Sequence, residues 1–317
     1  MYKSLLESWF PSVVAAFATF AIVALADRGV RAPVRWTPTE ISSPAYESSP
    51  AFVVATNEMF FMRADAGFDN YRILSSSCSD GKWSAPNEAS FSAPEGMHDA
   101  DPFVSRDGLK LYFVSTRHRY HEVGNADFDI YVVERGADGV WRDPTRLPEP
   151  VNSHGSELFP RIAADGWLYF GSDRDGGAGG SDIYAARIGQ GGAWEVRNIA
   201  GFNTASNEYE VALTEDGREA AVISDRGGMS RVLLFGNTPH GWTLTGEVRA
   251  NDQVFQVGPS WSPDGSQLMF AQADGNDSGE IFYVRLKPGH NPAWPPRCDR
   301  SSSIPYGQPV ATRGTSE

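Results

Sequence analysis

This sequence predicts an all-β fold, a β-propeller of four-stranded antiparallel blades, on three observations. One unit recurs along the chain, a set of tryptophans recurs with it, and the apolar runs between turns are short. The unit is clearest at residues 155–184, GSELFPRIAADGWLYFGSDRDGGAGGSDIY. There Asp165-Gly166 precedes one apolar run, and a glycine-rich loop leads to a second. Gly and Asp accept the positive φ of tight turns, so the pattern is an antiparallel meander. The same order follows Asp107-Gly108, Asp216-Gly217 and Asp264-Gly265, with Asn57-Glu58 in the equivalent place near the start. Five residues ahead of these turns stand Phe52, Pro102, Pro160, Val211 and Pro259.

The tryptophans give the period. Trp36, Trp83, Trp141, Trp194, Trp242 and Trp294 are separated by 47, 58, 53, 48 and 52 residues. A unit of about 50 residues with four strands is the size of a propeller blade. The apolar runs are about 4–6 residues long, which suits strands rather than helical repeats. Five repeats predict five blades. A sixth would have to be a degenerate repeat around 294–307.

Taken in order, the chain opens with Lys3 and an apolar stretch at 13–26 ending in Ala24-Leu25-Ala26. That is the pattern of an export signal cleaved before Asp27, and the run is short for a membrane span. An uncleaved anchor is the alternative. Residues 27–35 are expected to be a linker and 36–297 the propeller. The stretch from Trp36 to Ser42 resembles the post-tryptophan strands but has no inner strands of its own. It is the preferred outer strand of the last blade, ahead of the proline-interrupted Trp294 segment. Residues 298–317 are expected to be a disordered tail.

The chain has 317 residues, 41% of them hydrophobic, with a net charge of -13 and 32 Gly and 21 Pro. Such acidity disfavours nucleic acid and anionic lipid and favours cationic ligands or basic protein surfaces. Two cysteines, Cys78 and Cys298, are an even count in a chain expected to be exported. Ring closure would bring the first and last blades together, so a disulfide is expected.

The repeats DADPFVSRDGLKLYFVSTR, ELFPRIAADGWLYFGSDRDGGAGGSDIY and GPSWSPDGSQLMFAQ resemble the TolB-like, WD40-like β-propeller repeat family of bacterial cell envelopes. They share the P-x-x-x-x-D-G turn, an aromatic strand, S-D-R and D-I-Y. The resemblance covers roughly residues 50–290. It implies a propeller in a periplasmic or secreted setting, binding an envelope protein or peptide as a monomer.

Candidate chemistry is sparse. Ser172-Asp173-Arg174 and Ser224-Asp225-Arg226 recur at one blade position, which points to a structural role. His118, His121 and Glu122, followed by Asp127 and Asp129, have zinc-like spacing but no second ligand pair, which favours a solvated loop. Asp274, Asn276, Ser278 and Gly279 open like a calcium loop, but Arg285 stands where the bidentate Glu belongs. No nucleophile elbow, P-loop or dinucleotide fingerprint occurs, so no cofactor, metal or catalytic residue is assigned.

The remaining candidates are carboxylates counted back from the aligned turns. Asp99, Glu157 and Glu208 fall at one level of the innermost strands, Asp101 and Glu210 two residues on. Residues two apart on a strand share a side, so the five are expected to converge on one mouth of the channel and bind a cation or a basic group of a partner. The enzymatic alternative is a five-bladed glycoside hydrolase using the same cluster as paired carboxylates.

Overall fold

A computed structural model describes residues 32–65, 67–117, 127–248, 254–274, 277–288 and 294–298. The expected leader, the zinc-like His118, His121 and Glu122, Asn276 and the tail beyond 298 lie outside these residues. Among the described residues no helix is long and apolar enough to cross a membrane.

The described strands form five antiparallel blades. The first holds β2 (Tyr46–Val53), β3 (Glu58–Ala64), β4 (Arg72–Ser79) and β6 (Asn87–Glu88), with β5 (Lys82–Trp83) also on β4. The second holds β7 (Asp99–Val104), β8 (Lys110–Ser115), β9 (Asp129–Glu134) and β10 (Thr145–Arg146). The third runs β11 (Glu157–Ile162), β12 (Leu168–Ser172), β13 (Asp182–Ile188) and β14 (Trp194–Asn198). The fourth runs β15 (Glu208–Leu213), β16 (Glu219–Ser224), β17 (Arg231–Thr238) and β18 (Gly241–Glu247).

The last blade closes the ring. It contains β19 (Gln256–Trp261), β20 (Gln267–Asp274) and β21 (Asp277–Arg285), and its fourth strand is β1 (Val34–Arg35). Val34 pairs with Tyr283 and Arg35 with Phe282, and the Trp36 amide then donates to the Ile281 carbonyl at 2.8 Å. The closing strand therefore begins inside the stretch expected to be a linker. Cys78 and Cys298 are joined by a disulfide across this seam, with Cα atoms 5.5 Å apart.

The Asp-Gly turns form for a local reason. Ser105, Thr214 and Ser262 donate their hydroxyls to Asp107, Asp216 and Asp264 two residues on, at 2.6–2.7 Å. Each Asp then accepts an amide from the far side of the turn, and Gly108, Gly217 and Gly265 take the positive φ. Between blades the core is aromatic: Phe60, Phe91 and Phe113 lie between the first and second, Phe202 and Phe235 between the third and fourth. Close approach is needed there as well. A Cβ at Gly171 would sit 2.2 Å from the Tyr209 carbonyl oxygen of the next blade.

The innermost strands are not regular. In every blade the pairing of the first strand with the second slips at a bulge. In four blades a residue at the bulge has positive φ: Ser49, Asp101, Phe159 and Gly258. A bulge re-aims the side chains that follow it, and this decides where the carboxylates go.

Candidate functional site

The five expected site residues divide into two sets. Asp99, Glu157 and Glu208 are fully buried at the start of their strands, each held by an arginine of its own blade. Glu157 shows the arrangement. It accepts Arg174 Nη2 at 2.9 Å, the Ser172 hydroxyl at 3.0 Å, and both the amide and hydroxyl of Ser153 in the preceding connector. Arg174 also donates to the Val151 carbonyl in that connector, at 2.6 Å. Glu208 repeats this with Arg226, Ser224, Thr204 and the Phe202 carbonyl. Asp99 does so with Arg117, the Ala93 amide and the Phe91 carbonyl.

The first blade has the same clamp in a place the sequence alignment missed. Glu47 accepts Arg63 Nε at 2.7 Å, and Arg63 donates to the Ile41 carbonyl. The repeat register in this blade is two residues earlier than the turn at Asn57 implied, because a 3-10 turn at Val54–Thr56 precedes that turn. In the last blade Gln256 takes the position and bonds Gln272. Burial pushes the Glu157 carboxyl above its ordinary range, with Ser153, Arg174 and Ser172 pulling it back. These acids fasten connectors to blades. The recurrent Ser-Asp-Arg triplets are their counterpart: Arg174 and Arg226 do the fastening.

Asp101 and Glu210 lie on the other side of the bulges, at a ring completed by Ser49, Phe159 and Gly258. Both are buried, at 1% and 0% exposure. Glu210 accepts Arg161 Nη2 at 3.2 Å and the Gly258 amide at 2.8 Å, so it joins three blades. Burial raises its pKa to about 7 against the pull of Arg161 and that amide. No side chain donates a hydrogen bond to either Asp101 oxygen. Burial, and then the Glu210 charge, push its carboxyl well above the ordinary range. Asp99 and Asp101 therefore do not face together, nor do Glu208 and Glu210, and the five carboxylates do not form one cluster. Among the described residues no group of three or more His, Cys, Asp or Glu could hold a metal ion.

The two ends of the channel differ. One apolar cluster includes Tyr46, Ala100, Leu158, Phe159 and Val257, with Tyr209 packed against it, and so draws on the inner strands of all five blades. Tyr46 stacks on Phe255 at 5.5 Å, and Phe159 lies 5.9 Å from Tyr209. Among the described residues these rings pack together toward the strand-start end. At the Asp-Gly turn end, a cavity of about 400 Å³ opens between the second to fifth blades.

No protein-family model matches the chain, and no curated protein does. Solved structures similar to it include TolB from Acinetobacter baumannii, at 17% identity and a TM-score of 0.49. The match covers 78% of this chain and 58% of that one, so the chain spans less than two thirds of that TolB's length. Also similar are the GH43 endo-arabinanase from Bacillus licheniformis (16%, TM-score 0.43, covering 75% of this chain and 93% of that one) and the soluble aldose sugar dehydrogenase from Escherichia coli (12%, TM-score 0.45, 76% and 96%). The likeness is one of fold.

The cavity on the Asp-Gly turn face has a mixed lining. Phe103, Arg161, Ala212 and Ser260 line it from successive inner strands, two residues below the axial ring in the second, third and fifth blades, with Trp261 and Tyr169 in the wall. Arg161 is 7% exposed and stands at its inner end, with Cζ 5.5 Å from the centre of the Phe103 ring. Its Nε is buried and has no hydrogen-bond partner. Asp101 and Glu210 do not line the cavity. Sequence reasoning missed Arg161. The available signal was a lone charge at a level where the other blades carry Phe103, Ala212 and Ser260.

Proposed function

We propose that this protein is a non-enzymatic β-propeller, periplasmic or secreted, that binds an envelope protein or peptide as a monomer. Recognition is at the cavity on the Asp-Gly turn face. The observation that carries this reading is the division just described. A cavity of ligand-binding size opens on the Asp-Gly turn face, while the acids a hydrolase would use are buried, with Glu210 paired to Arg161 and Glu157 held in its clamp. A glycosidase must bring both carboxylates to the scissile bond. Asp101 and Glu210, buried and absent from the lining of that cavity, cannot do so there.

The test is site-specific photo-crosslinking in envelope extract from the native host, with the crosslinker at Ala164 beside the cavity or at exposed Ala178 on the opposite end. A glycan hydrolysis screen runs beside it. Discrete protein adducts from the Ala164 position alone, with no hydrolysis, are expected. Equal adducts from Ala178, or hydrolysis abolished by Glu210→Gln, would overturn the reading.

A further inference from the structure

We propose that the cavity on the Asp-Gly turn face is a carboxylate-binding site, in which Arg161 receives the acid and the aromatic wall receives an adjoining apolar group. This rests on the cavity being the recognition site and names the chemistry it recognises.

Arg161 is the charged group at the inner end of the cavity. At the rim, Arg106 and Glu215 are paired with each other, so their charges are matched. Arg161 is held from behind by Glu210 through Nη2 alone, and Glu210 is fixed in turn by the Gly258 amide. The guanidinium is thus anchored through one nitrogen and stacked on Phe103, while Nε is left with an unfilled hydrogen bond. An unpaired donor on a buried cation is costly. A carboxylate in the cavity matches the charge and planar geometry of the guanidinium through the 9% of the side chain that stays exposed, and a small shift of the side chain would bring the buried Nε into the same bond.

The wall adds the second part of the specificity. The Trp261 indole N–H is bonded to the Ala212 carbonyl at 3.0 Å, which fixes the ring in place. Phe103 and Tyr169 complete an apolar surface on the same cavity. A cation is disfavoured here. The Arg161 guanidinium in the cavity lining repels one. The expectation of a basic ligand assumed that Asp101 and Glu210 reach a mouth, and they line no part of this one.

Two sources share this chemistry: a free small acid and the C-terminal carboxylate of a peptide. Titrations of the 15N-labelled protein, read at the Trp261 indole resonance, would use 3-phenylpropionate, its neutral amide and 3-phenylpropylamine. A second arm uses the tripeptide Ala-Ala-Phe with a free or an amidated C-terminus. The acids are expected to bind at least about tenfold tighter than their neutral or cationic counterparts. Ala164→Trp, at an exposed position on the cavity's edge, is expected to abolish binding without touching the buried pair. The double variant Arg161→Gln, Glu210→Gln keeps a neutral hydrogen-bonding pair and is expected to erase the preference for acid. Binding of phenylpropionate alone identifies a small-molecule site; binding of both identifies a chain terminus. The proposal is overturned if amide or amine binds as tightly as acid, if neither acid binds below about 10 mM, or if the preference survives the double variant. Equal binding of acid and amide, blocked by Ala164→Trp, would sink the carboxylate and leave the recognition face standing. Acid selectivity without crosslinked partners at Ala164 would do the reverse.

Discussion

Two rings of residues encircle the channel, two residues apart along the same strands, and they are built on opposite terms. In the upper ring, Glu47, Asp99, Glu157 and Glu208 each meet an arginine that also reaches a connector carbonyl. In the lower ring, Asp101 has no side-chain hydrogen-bond partner, Ser49 Oγ has no partner, and Glu210 shares one arginine across blades. The upper ring repeats in four blades because each of these ties down its connector, and the fifth places Gln256 there. The lower ring varies from blade to blade because the axis makes no such repeated demand. Conformity to the repeat therefore marks scaffold here, and departure from it marks where the proposed ligand site is sought.

The largest effect should come from opening one upper clamp. Arg174→Ala leaves Glu157 fully buried with its serine partners and no cation. Removing one member of a buried ion pair costs about 3–5 kcal/mol, here toward the lower figure because Arg174 is partly exposed. Urea unfolding would measure it. A loss under about 1 kcal/mol would mean that the clamp is an ordinary surface pair and that the two rings do not differ in kind.

The propeller was legible in the sequence because its turns depend on small local rules. Ser or Thr two residues before Asp-Gly writes the turn chemistry directly, and the tryptophan series writes the period. The site was legible only in part. Counting residues found every acid of the second to fourth blades, but strand alternation then placed them on one side. The bulges broke that alternation, and nothing in the composition of residues 99–102 or 157–160 announces a bulge except the proline after the positive-φ residue. Glu47 was missed for a related reason: the first blade replaces the Asp-Gly turn with a 3-10 turn, so counting from the turn lands two residues late.

The next comparison uses pH. Glu210 has its folded pKa raised from 4.5 to about 7 by burial. The folded state then binds more protons than the unfolded state between these values. Stability from this group is therefore highest below about 4.5 and falls as the pH rises toward 7, by on the order of 2–3 kcal/mol. Glu157 is also raised and contributes with the same sign, so the informative quantity is the difference between parent and variant. Glu210→Gln should flatten the profile between pH 4.5 and 7, and denaturation midpoints across that range would show it. An unchanged slope would mean that Glu210 stays ionised throughout, as a fully compensated clamp acid would.

The finest comparison is between two serines. Ser172 belongs to the upper ring: its hydroxyl donates to Glu157 at 3.0 Å and accepts from the Arg174 amide and Nε. Ser49 belongs to the lower ring, is equally buried, and its hydroxyl has no partner. Replacing either by Ala removes one oxygen from a closed environment, so the lost volume is the same. Both Ser and Ala are L residues, so the φ of 51° at position 49 remains in either case. What differs is the hydrogen bonding. Ser172→Ala withdraws a donor from a buried carboxylate and an acceptor from two N–H groups, and should cost about 1–3 kcal/mol. Ser49→Ala withdraws nothing that is bonded, and should fall within about 0.5 kcal/mol of the parent or slightly above it. Paired thermal melts of the two variants would decide the matter. Were Ser49→Ala as costly as Ser172→Ala, the lower ring would be held by bonds as strong as those of the upper, and the variation at the axis would have to be explained by packing rather than by the absence of a shared structural demand.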